Sequence, residues 1–338
     1  MDKIAVVILN WNGCEMLRRF LPSVLLNTGT EGVGVYVVDN GSTDQSVPVL
    51  RTEFPAVHLI ILDKNYGFAE GYNLAFKQID AEYLVLLNSD VEVTENWLNS
   101  LVEYMDTHPE VAACQPKMLS WHEKTKFEYA GASGGFIDKY GYPYCRGRLM
   151  NVVEEDREQY NTVISVFWAT GAALFIRSDS FHRVGGLDGR FFAHMEEIDL
   201  CWRLRARGYS IVCVPQSVVY HVGAATLRKE SPRKTFLNFR NNLIMLYKNL
   251  PEERFSHVMQ VRRFLDYLAA IFFFVKGQLP NAVAVFRARR DFKRICGEFE
   301  EDRAVNMEKA VVKSIPEQSD AFILWQFYVK RKKYFSQL

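Results

Sequence analysis

Four short runs rich in β-branched residues, at 4–9, 33–38, 57–62 and 83–87, alternate with helix-period stretches at 16–26, 45–53 and 69–79. A run that is apolar at both odd and even positions has to be covered on both faces. Repeated alternation with helices therefore points to an α/β fold with a mostly parallel, Rossmann-like sheet sandwiched between helices. In such sheets ligands collect where the strands end. Polar clusters stand at those ends: Asn10 and Asn12 after the first run, Asp39 to Asp44 after the second, Asn65 to Asn73 leading into the third helix, and Asn88-Ser89-Asp90 after the fourth.

The length suggests roughly two domains, or one large domain with an extension. A net charge of +1 over 338 residues conceals two unlike parts. Residues 1–227 carry 19 Lys/Arg against 28 Asp/Glu, whereas residues 228–338 carry 22 against 12. The expected division is an α/β domain over 1–247, with halves at 1–110 and 111–247, followed by a basic helical extension over 248–338. The six cysteines form no C-x-x-C pair, which suits free thiols in a reducing compartment. The first residues do not read as a signal peptide, and the longest apolar run, 267–275, is less than half a membrane span. A cytoplasmic protein is the expectation.

Each cluster has two readings. Asp39, Asn40 and Ser42 suit contact with a nucleoside, or equally a helix-capping turn. Gly67 and Gly71, flanked by Asn65 and Asn73, would let a phosphate or nucleoside approach a helix start, or let a helix pack closely. Asn88 and Asp90 offer oxygen ligands on one side of an extended segment, as Mg²⁺ or Mn²⁺ requires, or simply end a strand. Glu196, Glu197 and Asp199 open a helix, where acids either oppose the dipole or supply a general base. His221 is a metal ligand through nitrogen or a structural histidine. The Gly-, Tyr- and Phe-rich stretch 129–144 reads as a substrate-binding loop.

Taken in order, these motifs resemble the inverting, nucleotide-sugar-dependent glycosyltransferases of family 2, with the GT-A fold. The resemblance covers about residues 3–247 and is nearest to the rhamnosyltransferase-like subset. Val37 to Asp44 is similar to the second-strand motif whose Asp binds the nucleoside. Asn65 to Asn73 resembles N-x-G-F-A-x-G-x-N, and Ala169 to Ala173 the acceptor-side G-A segment. Glu196 to Arg203 resembles E-D-x-D-L-x-x-R, which carries the catalytic base. Arg240-Asn241 matches an arginine-asparagine pair near the domain's end.

The resemblance implies a UDP- or dTDP-linked sugar donor bound by Asn10, Asn12, Asp39, Asn40, Ser42, Asn65, Gly67, Gly71, Asn73, Asn88, Ser89 and Asp90. It implies a divalent cation, Mg²⁺ or Mn²⁺, on Asp90 and His221 with Asn88 assisting. Glu197 ranks first as base, ahead of Glu196 and Asp199. Two departures stand out: Asn88 takes the first D-x-D position, and Glu197 replaces the usual Asp. They keep a non-catalytic nucleotide-sugar-binding protein in view, and a nucleotidyltransferase behind it. The implied setting is polysaccharide biosynthesis for the cell envelope, with a saccharide or lipid-linked saccharide acceptor.

Nucleic acid is not an expected partner, since no recognition motif accompanies the basic extension. There, Phe272-Phe273-Phe274 with Arg262-Arg263 before them and six Lys/Arg against one Asp over 276–294 suggest a helix in the interface of an anionic membrane. Lys330 to Lys333 would add to that attraction. A helix packed on the catalytic domain with a basic outer face is the competing reading. Attachment to the inner face of the plasma membrane is the corresponding expectation for location.

Overall fold

The computed structural model describes residues 2–29, 31–223, 231–312 and 314–338. The break at 228 in the charge distribution lies outside the described residues. The chain opens with β1 (Asp2–Asn10), α1 (Cys14–Thr28), β2 (Val33–Asn40), α2 (Ser46–Glu53) and β3 (His58–Leu62). Next come α3 (Gly67–Phe76), β4 (Ala81–Asn88), β5 (Val91–Val93), α4 (Asn99–Thr107) and β6 (Val111–Ser120). A meander follows, of β7 (Gly135–Asp138), β8 (Pro143–Cys145), β9 (Arg148–Leu149) and β10 (Val152–Val153). The catalytic-side elements close with β11 (Ile164–Ser165), β12 (Ala173–Arg177), α5 (Ser178–Arg183), α6 (Glu196–Ala206) and β13 (Ser210–His221).

The main sheet runs β11-β13-β6-β12-β4-β1-β2-β3, with β5 paired to β13. Its β4-β1-β2-β3 half is parallel throughout. The parallel run ends where β12 enters between β4 and β6 from the opposite end and pairs antiparallel with both. Period-two geometry explains the apolar strands. Ala5 and Val7 of β1, with Leu84 and Leu86 of β4, face one core together with α3 and α6. Ile4, Val6 and Ile8, with Tyr83, Val85 and Leu87, face the other with α1 and α4. Strand ends β1, β2 and β4 consequently lie side by side, as Asn10 pairs with Asp39 and Leu9 with Asn88.

Residues 129–144 are not a loop. They contribute β7 and β8 to a second, five-stranded sheet, in which Ile137 and Tyr144 are buried. Phe136 and Tyr144 pair across β7 and β8 and stack at 5.7 Å, while Ile137 and Cys145 are buried on the other face, so aromatic content here serves packing. Its last strand is β14 (Gln318–Ser319), so the C-terminal segment returns to pair with β7.

The extension is helical: α7 (Pro232–Asn249), α8 (Glu252–Val275), α9 (Leu279–Ile295) and α10 (Glu300–Glu308). Ser231 caps α7 by accepting from the Lys234 amide, with Pro232 in the first turn. The expected boundary at 247 falls inside α7. Part of the extension's positive charge is spent inward: Arg262 reaches Asp266, Tyr140 O and Asn242, while Arg303 reaches Tyr247 O and Leu250 O.

Candidate active site

Three patches meet at the strand ends. The first joins the turn after β1 to the turn after β2. Asp39 accepts from the Ser42 amide (2.9 Å) and from Asn10 Nδ2 (3.3 Å), and Ser42 Oγ accepts from the Asn12 amide (2.9 Å). Asn10 is buried, yet its Oδ1 has no partner among the described residues. A side chain at Gly13 would bring a Cβ within 2.4 Å of that oxygen and 3.7 Å of Ser89 Oγ. Asn10, Asn12, Asp39, Ser42 and Ser89 therefore share one corner.

The segment from Asn40 through Asn73 does different work from that expected. The Asn40 amide is fully engaged, donating to Gly67 O (3.0 Å) and Asn65 Oδ1 (3.2 Å) and accepting from the Tyr66 amide (3.0 Å). Asn65 Oδ1 also accepts from the Gly67 amide. Asn73 exchanges hydrogen bonds with the backbone of Leu187. A Cβ on Gly71 would press on Leu9 at 2.9 Å. Gly67, at φ +79°, packs so tightly on Phe192 that a Cβ would lie 2.6 Å from its ring. The first amides of α3 do not await a phosphate either: Phe68 N donates to Phe192 O at 2.7 Å. Asn40, Asn65, Gly67, Gly71 and Asn73 thus form the bracket that joins β2, α3 and the turn before α6.

The second patch is a buried charge cluster. His221, at the end of β13, places Nε2 3.2 Å from Asp90 Oδ1 and 3.4 Å from Asn88 Nδ2. Its Nδ1 lies 3.4 Å from Glu128 Oε1, in ion-pair range though not aligned as a hydrogen bond. Glu128 is in turn held by the amides of Ala130 (2.5 Å) and Gly131 (3.0 Å). Burial disfavours a charged imidazole, but Glu128 and Asp90 outweigh it and raise the His221 pKa to about 10. Burial likewise pushes Asp90 up and is outweighed by His221, leaving its carboxyl below the usual range.

Two carboxylates thus favour one positive charge at this spot. The 3.2 Å separation of Asp90 Oδ1 and His221 Nε2 brings an oxygen and a nitrogen donor to one spot, where they would suit a divalent cation. Among the described residues no group of three or more His, Cys, Asp and Glu would hold a metal unaided. Asp90 and His221 fit a divalent cation that takes its remaining ligands from substrate oxygens and water. Glu128 behind the imidazole supplies the outer-shell carboxylate that orients such a ligand.

The third patch is the first turn of α6. Phe192, His194 and Met195 precede it with φ of 66°, 73° and 74°, a strained run for residues that carry a Cβ. Asn241 of α7 fixes it. Its buried Nδ2 lies 2.8–2.9 Å from the carbonyls of Phe191, Ala193 and His194. Arg240 reaches Arg190 O and Phe191 O beside it. Phe191 is fully buried and Phe192 serves through its backbone, so the pair walls the turn itself.

Beyond this turn Glu196 and Glu197 each have an Oε2 that is buried without a partner. Burial pushes Glu197 up to about 7, and burial together with the Glu197 charge pushes Glu196 well up. Glu196 is buried, while Glu197 is partly exposed. Asp199 is the opposite. It is fully buried and accepts from Arg203 Nε (2.9 Å), Lys248 Nζ (3.0 Å) and Asn249 Nδ2 (2.7 Å). Its burial is outweighed by Lys248 and Arg203, which hold the carboxyl low. Asp199 is therefore corrected from candidate base to structural ion pair.

Short segments link the patches. A Cβ on Gly131, three residues after Glu128, would touch Thr170 Cγ2 at 2.6 Å, and one on Gly171 would lie 3.6 Å from Glu197 Cβ. Asn88 N donates to Ala172 O at 3.0 Å. Asp90, His221, Glu128 and Glu197 consequently border one region around residues 170–172. Glu128 and the clamp role of Asn241 were not found from sequence. Glu128 lies far from His221 in the chain and carries no local pattern, whereas Arg240-Asn241 stood out only as a dipeptide.

The chain matches the family described as Glycosyl transferase family 2 over residues 5–178. It is 26% identical over 260 residues to N-acetylglucosaminyl-diphospho-decaprenol L-rhamnosyltransferase of Mycobacterium tuberculosis (strain ATCC 25618 / H37Rv), covering 72% of this chain and 84% of that protein. It is 23% identical over 163 residues to rhamnosyltransferase WbbL of Escherichia coli (strain K12), covering 46% of this chain and 61% of that one. Among solved structures it is similar in fold to GalNAc-T7 with UDP, GalNAc and Mn²⁺, at TM-score 0.64, 14% identity, and 98% and 57% of the two chains. It is similar in fold also to S. aureus TarS 1–349, at TM-score 0.56, 15% identity, and 91% and 89%.

Proposed function

Because the chain belongs to glycosyl transferase family 2, as a glycosyltransferase of rhamnosyltransferase-like type, we propose that it transfers a sugar with inversion from a UDP- or dTDP-linked donor to a hydroxyl of a saccharide or lipid-linked saccharide. One juxtaposition carries this reading. A pair fit for a cation, Asp90 and His221, and a carboxyl poised near neutrality, Glu197, border the same short segment around Thr170 and Gly171.

Asp90 and His221, with the Asn88 side chain beside them, would hold Mg²⁺ or Mn²⁺, which when bound offsets charge on the departing diphosphate. Asn10, Asn12, Asp39, Ser42 and Ser89 form the corner that receives the nucleoside, and the unpartnered Asn10 Oδ1 supports that placement. Glu197 Oε takes the proton of the acceptor hydroxyl as its oxygen attacks the anomeric carbon. The bond to the diphosphate oxygen breaks on the opposite face, and its electron pair leaves with the nucleoside diphosphate. A carboxyl with a pKa near 7 is a stronger base than one in water, and half of it is ionised at neutral pH. We place the enzyme in polysaccharide biosynthesis for the cell envelope, on the cytoplasmic side of an anionic membrane to which the extension attaches it.

A donor screen that follows release of nucleoside diphosphate, with and without Mn²⁺, tests the activity. Asp90→Ala should abolish transfer and weaken Mn²⁺-dependent nucleotide binding. Transfer at the wild-type rate by that variant would remove the assignment.

A further inference from the structure

Helices α8 and α9 form a hairpin with two unlike sides. On the inner side buried Asp266 pairs with Arg262 and Arg289, joining α8 to α9, and Arg262 reaches the body at Tyr140 O and Asn242. Leu265 and Ala270 of α8 and Ala282, Val285 and Ala288 of α9 are buried on the same side. The outer side is apolar and uncovered. On α8 it presents Phe264, Leu268, Ile271, Phe272 and Val275, spaced four, three, one and three residues apart as one helical stripe. On α9 it continues through Leu279, Val283 and Phe286. Tyr267 and Phe286 stack across the helices at 5.5 Å and join the stripes into one surface. These eight side chains are 45% to 77% exposed. Soluble monomers rarely leave so contiguous an apolar surface open to water.

Cations rim this surface. Arg263, Lys276, Arg287, Arg290, Lys293 and Arg294 are exposed, whereas of the two acids between 263 and 294 Asp266 is buried between Arg262 and Arg289 and Asp291 pairs with Arg240 and with Arg294. The structure differs here from the sequence reading. Phe273 and Arg262 point away from the face, and α9 supplies much of it.

We infer that this face of the α8–α9 hairpin is the surface that lies in the headgroup region of an anionic bilayer, apolar stripe inward and cations at the phosphate level. The inference deepens the membrane attachment proposed above by naming its surface. Charge selects the occupant. A second copy of the chain docked face to face would set one arginine rim against the other, whereas acidic headgroups neutralise it. No helix among the described residues is long and apolar enough to cross a membrane, and Arg262 ties the hairpin to the body through Tyr140 O and Asn242. The hairpin therefore lies along the surface.

The test is sedimentation of the full chain with phosphatidylcholine vesicles, with and without phosphatidylglycerol, at low and high salt. The chain should bind the phosphatidylglycerol vesicles and be released in part by salt. Ile271→Glu/Phe286→Glu should lower partitioning by at least ~10-fold, and Arg287→Gln/Arg290→Gln by roughly fivefold per charge. Both variants should keep wild-type melting and wild-type donor hydrolysis. Three results would overturn the inference: no binding at low salt, unchanged binding by the glutamate variant, or a dimer by ultracentrifugation that the same variant dissolves. The vesicle assay needs no donor, so its failure leaves the catalytic reading standing, and failure of the Asp90 test leaves this one.

Discussion

Two sides of one helix show how this protein separates chemistry from support. Helix α6 begins with three carboxylates in a single turn. On the side facing Gly171, Glu197 has a buried oxygen without a partner and a pKa near 7. On the side facing α7, Asp199 is saturated by Arg203, Lys248 and Asn249, and its carboxyl is held low. The residues are two apart and chemically similar. Surroundings alone leave one carboxyl unpartnered and raised and the other saturated and low.

That contrast can be broken most severely at Glu197. Glu197→Gln should lower turnover by about 10²- to 10⁴-fold while donor affinity, read by nucleotide titration, stays near wild type. Asp199→Asn should do the reverse. Removing the charge leaves buried Arg203 without its carboxylate and Lys248 with Asp188 alone, costing about 3–5 kcal/mol in denaturant unfolding, while turnover of the folded fraction remains within a few-fold. Asn241→Ala sharpens the comparison, because the clamp belongs to the supporting side yet fixes the catalytic turn. It should lower turnover roughly 10-fold without changing nucleotide affinity, and a melting shift alone would reduce Asn241 to support. Glu196→Gln is the mildest, leaving turnover within roughly threefold, since burial and the Glu197 charge already hold the Glu196 carboxyl in its uncharged form.

The sequence reveals the parallel half of the sheet because both faces of β1 and β4 are buried, and an uninterrupted apolar run records that directly. Free cysteines were equally legible. Polar residues at strand ends were found but not sorted. Asn40 and Asn73 look like ligand contacts until their amides are seen to be consumed by Gly67 and Leu187, partners that no local pattern specifies. Residues 129–144 misled for the same reason, since aromatic and glycine content does not distinguish an exposed loop from a small sheet packed on both faces. Glu128 was missed because its meaning lies in a contact with a histidine on another strand.

The account rests on Glu197 being the base, and its pH dependence tests that most directly. Glu197 must be ionised to accept a proton, so kcat/KM should fall as pH drops through about 7. Because Glu196 and Glu197 interact, that midpoint belongs to the pair. The decisive measurement is the pH profile of kcat/KM for the wild type beside Glu197→Gln. The account predicts an acidic limb near pH 7 in the wild type and a low residual rate without that limb in the variant. A variant that keeps both the rate and the limb would contradict it and move the base elsewhere.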